Sequence, residues 1–468
     1  MAALRETVAP ATARRRWWAL AVLCLSVLLV VVDNTIVNIA LPTLSNDLHA
    51  STSGLQWLVD AYSLVFAGLL LVGGGLGDRF GRKPMLQLGL LLFAATSLWA
   101  ASATTTGELI AARAGMGMAA ALVYPATLAL LSTVFTDRRE KAMAIGIWSG
   151  VSGLAVAVGP VSGGVLLQHF SWQSIFLVNL PVVALALVAG KVLLPNSRDN
   201  APGRFDVVGA AGSVAAIGLL VWTIIEAPGR GWTAPATVSG FLGVGVLLAG
   251  FVAWEQRHAH PLLDVALFTN PRFSAASGAI AMAFFGLFGF IFLITQFFQA
   301  VRGYDTLRAG VATLPFAVVV GVLSPVAIVA MKRFGTTAIV SIGLGLMSAG
   351  FVLVANTAVD APYWGPVVIA MVLMAAGLAM VTGPATDAIM SALPQARVGA
   401  GSAVNDTTRE VGGALGVAVI GSVMNSVYGG TIGTQLSNLG LPRDAVTAAQ
   451  ESVMAAVRMA RQLPAELA

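Results

Sequence analysis

The chain has 468 residues, of which 57% are hydrophobic and only 10% charged, with a formal net charge of +5. A soluble domain carries about 25% charged residues, so a soluble globular protein is excluded, and so small an excess of positive charge calls for no nucleic acid. The single cysteine, Cys24, rules out a disulfide framework, and four histidines scattered in loops and at helix ends suggest no metal site and no cofactor.

In chain order, Arg14, Arg15 and Arg16 precede an apolar run that begins at Trp17. The arrangement imitates a secretory leader, but the run is too long and no small-residue cleavage site ends it. It is therefore expected to remain as a first spanning helix. Charged and turn-rich breaks divide the chain into thirteen apolar spans, at 17–41, 54–77, 85–102, 107–134, 140–167, 172–194, 205–226, 237–254, 274–301, 306–331, 336–356, 364–390 and 398–427. A spanning helix needs about 20 predominantly apolar residues. The runs lack strand-like alternation, and in lipid only helices and closed barrels satisfy their own backbone. The expected fold class is an all-α polytopic membrane protein.

The break after the second span, residues 74–83, is the densest signal. Gly74, Gly77 and Gly81 surround Asp78, Arg79, Arg82 and Lys83 in a loop too short to fold alone. Glycines permit positive φ and close helix approach. Asp78 can cap or pair with a neighbouring helix start, while Arg79 and Arg82 can reach helix C-termini or acidic headgroups. A solvated basic turn is the plain alternative, but the glycine spacing around an acid favours a conformational latch. No Gly-Lys-Ser/Thr run follows a strand, which excludes a phosphate cradle.

Charge placement orients the spans. Lys and Arg crowd the N-terminal arm and every second loop after it: Arg5 and Arg14–Arg16, then Arg79, Arg82 and Lys83, and so on to Arg397. The opposite loops hold only Arg230, Arg302 and Arg308. The positive-inside rule then puts the N-terminus and the 74–83 loop in the cytoplasm. The run Lys332, Arg333, Phe334, Gly335 echoes Asp78, Arg79, Phe80, Gly81 without the acid, which points to an internal duplication. The expected organisation is a cytoplasmic arm (1–16), a six-helix bundle (17–194), two inserted helices with polar linkers (195–272), an incomplete second bundle (273–427) and a non-membrane, external tail (428–468).

Ionisable residues within the spans carry the strongest functional signal, because each costs a few kcal/mol at the bilayer centre. Asp33, Asp60 and Arg113 fall roughly 9–12 Å below the outer ends of their helices at a rise of about 1.5 Å per residue. One depth in one bundle makes an acid–base cluster. A change in its pairing or solvation takes up or releases a proton, whereas the plain alternative is a permanent ion pair. Asp406, Arg409 and Glu410 lie near the midplane of the last span, with the two acids on one face and Arg409 beside Asp406. They read equally as a substrate or proton site and as a self-neutralising group. Gly153, Gly159, Gly163 and Gly164 are spaced for a small-residue helix face, with Pro160 permitting a bend. Among aromatics that could line a cavity (Trp57, Tyr62, Phe285, Phe297 and Phe298 are others), Tyr124 and Trp148 are preferred for their mid-helix positions.

These segments together resemble the major facilitator superfamily, and within it the fourteen-helix branch of drug:proton antiporters. Gly74, Leu76, Asp78, Arg79, Gly81, Arg82 and Lys83 match its loop motif between helices 2 and 3, and Asp33 through Pro42 its helix 1 motif. Leu109, Arg113 and Gly117 match the helix 4 motif, with Met116 in place of a polar residue. Gly153, Gly159, Pro160, Gly163 and Gly164 resemble the antiporter motif of helix 5. Trp172, Phe176, Asn179 and Pro181 match the start of helix 6. The resemblance covers about residues 17–427 and implies two pseudo-symmetric six-helix bundles with two inserted helices, with one further helix beyond 427 that this sequence does not supply.

It further implies a proton-driven exporter of amphipathic, cationic drugs or toxic compounds in the inner membrane. Such a protein is a non-enzymatic monomer whose partners are its substrate, protons and the bilayer. By the resemblance, Asp33 and Arg113 are proton-coupling residues. Export of an endogenous metabolite, antibiotic or lipid is the alternative in the same fold. A non-transporting or truncated relic is the alternative outside it.

Overall fold

The computed structural model describes residues 13–197, 206–258, 261, 263–393 and 398–437, together with 449, 450, 453 and 456. Arg5, Arg397 and the charged residues of the expected external tail, Arg443, Asp444, Glu451, Arg458 and Arg461, lie outside the described residues. All described elements are helical. In the first half they are α1 (Ala13–Asp47), α2 (Thr52–Phe80), α3 (Arg82–Ser102), α4 (Thr106–Val134), α5 (Arg138–His169), the short α6 (Ser174–Leu177) and α7 (Asn179–Leu193). Next come α8 (Val207–Arg230) and α9 (Pro235–Arg257). The second half holds α10 (Pro271–Gln296), α11 (Thr306–Val311), α12 (Leu314–Phe334), α13 (Thr336–Ala355), α14 (Val368–Ser391) and α15 (Val398–Ser437), with π-helical turns at Phe297–Val301 and Tyr363–Val367.

Among the described residues, 12 helices are long and apolar enough to cross a membrane, and 13 when the two limbs of α5 count as one span. Those limbs, Arg139–Val156 and Val158–His169, meet at 42°. The bend falls one turn before Pro160, which cannot donate to the carbonyl four residues back. The last span runs to Ser437, past its expected end at 427.

Residues 74–83 are not the loop that the sequence suggests. The helix α2 continues through Phe80, the chain turns on Gly81 alone (φ 107°, ψ 133°), and α3 starts at Arg82. Gly81 donates to the Gly77 carbonyl at 3.0 Å, which closes the last turn of α2. Gly335 (φ 84°, ψ 153°) makes the same corner between α12 and α13. Both corners use a backbone region open mainly to glycine, and both follow a basic last turn that suits the helix dipole.

Packing repeats across the two halves. In the first, α1 packs on α5, α2 on α4 and α3 on α4; in the second, α10 packs on α15, α12 on α14 and α13 on α14. Two seams join the halves, α2 against α15 and α5 against α11. The α8–α9 hairpin lies outside the first seam, with α8 touching both α2 and α15. One end of the molecule carries the start of α1 and the two glycine corners, and is called the basic end here. The other, where α1 finishes and α2 begins, is the far end.

Candidate functional site

Asp33 and Arg113 form an ion pair at 2.6 Å, with both side chains wholly buried. The helix α1 supplies the acid and α4 the base, and α2 closes the site by accepting the Arg113 Nε proton on the Leu58 carbonyl at 3.1 Å. The second Asp33 oxygen accepts from Asn179 Nδ2 at 2.8 Å, and the same amide nitrogen reaches Ser97 Oγ at 3.2 Å. The Tyr62 ring lies 4.4 Å from the Arg113 guanidinium carbon, and its hydroxyl donates to the Val30 carbonyl at 3.1 Å. Only Arg113 Nη2 is left without a hydrogen-bond partner.

Asp60 does not join this cluster. Successive helical residues are rotated by about 100°, so Asp60 points about 200° away from Leu58 and Tyr62. It shares a side of α2 with Gln56, which bonds α15, and with Leu64, which packs with Ala414 of α15 and Val221 of α8. Asp60 is thus buried in the seam between the bundles, and neither carboxylate oxygen has a hydrogen-bond partner among the described residues. The expected triad is an ion pair plus a separate acid.

The second half is built differently. Arg409 reaches neither Asp406 nor Glu410 within ion-pair distance. It donates to Thr386 Oγ1 at 3.2 Å and lies 5.3 Å from the Phe284 ring. Asp406 accepts from Asn405 Nδ2 at 3.3 Å, and Glu410 Oε2 is buried without a hydrogen-bond partner. Arg409 lies only about 60° from Asp406 around α15, but the Thr386 hydroxyl of α14 holds it instead. The self-neutralising arrangement is not built.

Tyr124 faces this second cluster, for its hydroxyl feels the charges of Asp406, Arg409 and Glu410. Glu410 also acts on the Tyr62 hydroxyl, so that tyrosine stands between the two clusters. Tyr62, Phe66, Tyr124 and Trp148 follow one another at centroid distances of 6.0, 5.7 and 5.4 Å. Trp148 buttresses Tyr124 from behind, its ring nitrogen donating to Thr127 Oγ1 at 3.2 Å.

Every hydrogen bond between the two bundles among the described residues lies toward the far end. Gln56 Nε2 donates to the Val417 and Ala418 carbonyls and to Ser422 Oγ at 3.2, 3.0 and 3.3 Å. Gln299 Nε2 donates to the Ile39 carbonyl at 2.8 Å, and Thr306 Oγ1 to the Gly164 carbonyl at 3.1 Å. Ser422 in turn donates to the Ile224 carbonyl of α8 at 2.9 Å, tying the inserted hairpin to this closure.

The α5 glycines do not share one face. Gly159 and Gly163 press on Thr35, Ile36 and Ile39 of α1, while Gly164 turns to α11, where a methyl group would lie 2.7 Å from the Thr306 carbonyl oxygen. Adjacent residues 163 and 164 differ by about 100° in direction, so the motif serves two partners. A methyl group on Gly153 would meet nothing within 4 Å. Pro160 contributes its carbonyl to the same contact, against Gly310 of α11.

At the basic end, Asp78 pairs with Arg82 across the Gly81 corner at 2.9 Å, and Arg82 Nη1 donates to Thr133 Oγ1 of α4 at 3.0 Å. Arg79 lies over the neighbouring Phe80 ring at 5.6 Å. The close approach to α4 is made by Gly73, set against the Ala121 carbonyl, whereas Gly74 has ordinary space around it. Lys83 donates to the Lys191 and Leu194 carbonyls at 2.8 and 3.0 Å, and Arg15 to Val192 at 2.9 Å, so two cations cap the end of α7.

Sequence reasoning left Asn179, Ser97, Gln56, Thr386 and Asn405 out of the site. Their common signal is a hydrogen-bonding side chain at mid-span or at a helix start, which in an apolar interior needs a partner.

Comparison with known proteins agrees with this geometry. The family model described as Major Facilitator Superfamily matches residues 23–417. The multidrug efflux pump LfrA of Mycolicibacterium smegmatis is 37% identical over 466 residues, covering 98% of this chain and 91% of LfrA. The tetracenomycin C resistance and export protein of Streptomyces glaucescens is 36% identical, covering 92% of this chain and 80% of that protein. Among solved structures, a bacterial homologue of the human lysosomal transporter Spinster, in an inward-facing and unoccupied conformation, aligns over 96% of this chain and 90% of its own, with a TM-score of 0.63 and 16% identity.

Proposed function

The chain belongs to the major facilitator superfamily, and from that premise we propose that it is a proton-coupled antiporter exporting amphipathic, cationic drugs or toxic compounds across the inner membrane. The excess of Lys and Arg at the basic end supports a cytoplasmic N-terminus. The far end then faces outward. Inter-bundle bonds at that end support a reading in which the transporter is closed to the outside and opens toward the cytoplasm by rocking about a midplane site.

The observation that carries the coupling is the buried Glu410 Oε2, which has no hydrogen-bond partner among the described residues. A buried charge without a partner is costly, and such a group neutralises itself by proton uptake or by gaining a counter-ion. A cationic amphiphile entering from the cytoplasm supplies that counter-ion to Asp406 and Glu410, with Tyr124 offering an aromatic face to the cation. Outward rocking parts Gln56 from α15 and Gly164 from α11. The guest leaves, and protons arriving from outside replace it on the vacated acids. Asp33 takes a proton only by losing its bond to Arg113 or Asn179, so the ion pair registers which way the bundles tilt. One charge moved through the field supplies about 2.3 kcal/mol per 100 mV. On this reading the gradient drives export without ATP, by a single protomer in a lipid bilayer.

The test is dye movement in proteoliposomes under an imposed pH gradient. Wild type moves ethidium when the gradient is applied, Asp33→Asn loses that dependence, and Glu410→Gln shifts it. Unchanged gradient-driven movement by Asp33→Asn removes the pair from the mechanism. A wild type that moves no amphiphile under conditions where a control exporter does would end the proposal. The name of the Streptomyces relative favours a second reading, export of an endogenous antibiotic. A deletion strain with unchanged dye sensitivity would select that reading.

A further inference from the structure

Outside the bundle interface, a cavity of about 660 Å³ lies at the far end of the second half. Its walls are α11, the start of α12 and the π-helical turn at Tyr363–Val367, through Tyr304, Arg308, Val311, Val318, Tyr363 and Trp364. The aromatic side is rigid. Tyr304 stacks on Phe298 at 5.4 Å, and Tyr363 donates its hydroxyl to the Ala312 carbonyl at 2.8 Å. Trp364 is 81% exposed, as suits a ring at a membrane–water boundary.

Two features define the guest. Arg308 is exposed, lies 4.1 Å over the Tyr304 ring and forms no ion pair among the described residues. The nearest acid in sequence, Asp305, is occupied in capping the Arg308 backbone N–H at 2.7 Å. Below the cavity, Val318, Val322 and Val329 form an exposed apolar stripe along one side of α12. From Val318 to Val329 the stripe runs about 17 Å at 1.5 Å per residue, close to the roughly 15 Å of one hydrocarbon leaflet. A free phosphate would use the arginine and leave the stripe idle. A phospholipid uses both.

We propose that this cavity binds one anionic phospholipid of the leaflet it adjoins, with the headgroup phosphate on Arg308, the glycerol region against Tyr304 and Trp364, and an acyl chain along the valine stripe. The inference rests on the transporter reading for which leaflet that is. It also has a mechanical consequence. The opposite side of α11, through Thr306 and Gly310, makes the closing contact with Gly164 and Pro160, so the lipid occupies the back of the outer gate.

The experiment uses full-length protein in bilayers that mix phosphatidylcholine with phosphatidylglycerol brominated on its acyl chains. Quenching of the Trp364 component, defined by subtracting Trp364→Phe, is expected to exceed the mole fraction of brominated lipid. A basic residue near a membrane surface contributes about 1 kcal/mol, so Arg308→Gln should weaken the preference about fivefold. Val318→Phe, which fills the cavity and keeps the charge, should weaken it too. Quenching that tracks mole fraction in the wild type, as for ordinary annular lipid, overturns the proposal, as does a preference unchanged in both variants. Quenching needs no transport. Leaflet assignment is read separately from a cysteine at Asp360 in a Cys24→Ser background, labelled from one side with an impermeant maleimide. Labelling only from the cytoplasm defeats the orientation while leaving the site intact.

Discussion

Arg113 and Arg409 both sit within a span beside acids, and they end in opposite circumstances. Arg113 is wholly enclosed, with Asp33 at 2.6 Å, a backbone carbonyl at 3.1 Å and an aromatic ring over its guanidinium. Arg409 has a neutral hydroxyl at 3.2 Å and a ring at 5.3 Å, while Asp406, three residues before it, and the adjacent Glu410 form no ion pair. The first cluster is completed by five helices of its own bundle; the second leaves Glu410 Oε2 without a hydrogen-bond partner. A closed pair resists change until a proton or a tilt disturbs it. An open group of acids is available to a cation from outside the protein. On the proposed reading the enclosed pair responds to tilt while the unpaired acids take cargo and protons in turn, and that difference follows from how many neighbours each arginine was given.

The most severe test of that contrast is to remove each arginine. Arg113→Leu strands Asp33 in a sealed interior, and breaking a buried pair on one side costs about 3–5 kcal/mol. Arg409→Leu removes one hydrogen bond to a hydroxyl, worth about 1 kcal/mol. Thermal unfolding in detergent should therefore show a large drop for the first and a small one for the second. Equal drops would mean that Arg409 is paired after all, and the contrast would fall.

Much of this was legible in the amino-acid order, and the part that was not has a geometric cause. Spans, the glycine corner and the pairing of Asp33 with Arg113 follow from apolar length, from the need for glycine at positive φ and from two charges at one depth. Depth alone also suggested Asp60 for that cluster. Rotation about α2 excluded it, and rotation shows only when the partners of residues 56, 58 and 62 are known. The same limit applies to Gly163 and Gly164, adjacent in sequence yet turned to different helices. Arg409 stayed open between two readings because the competitor that holds it, Thr386, lies on another helix. Sequence spacing reports neighbours along a helix well and neighbours across helices poorly.

The closing contacts sharpen the comparison at the next level of effect. Gly164→Ala drives a methyl group into the α11 backbone, where overpacking costs roughly 1–3 kcal/mol. Gly153→Ala, with open space around it, should stay within about 0.5 kcal/mol. If the α5–α11 seam is the outer closure, only the first should raise labelling of a cysteine placed at Gln299 in a Cys24→Ser background. Equal labelling in both variants would place the closure elsewhere.

Asp60 permits a test in which stability and transport move apart. Replacing a partnerless buried carboxyl with an apolar side chain of similar size is neutral or stabilising, so Asp60→Leu should melt at the wild-type temperature or up to about 1 kcal/mol higher in stability. Its gradient-driven dye movement should nevertheless fall. A melting point lowered as far as that of Arg113→Leu would show that Asp60 belongs to a closed pair like Asp33.

The smallest expected change in stability comes from Thr386→Val, and it asks whether one cluster can be turned into the other. The hydroxyl that holds Arg409 also donates to Asn405 Oδ1 at 3.1 Å, so its loss releases both the cation and the amide that engages Asp406. Arg409, three residues along α15 from Asp406, is then free to close on that acid, as residues at this spacing do on a helix surface. The stability lost with the hydroxyl, about 1 kcal/mol, is offset in part by the new pair, so unfolding should shift little. Transport should shift more, because an acid already neutralised from within has less to offer a cationic guest. Efflux of a monovalent cationic dye is therefore expected to weaken with its pH dependence retained, since Glu410 and the Asp33–Arg113 pair are untouched. Loss of pH dependence along with affinity would mean that the two clusters cannot be separated.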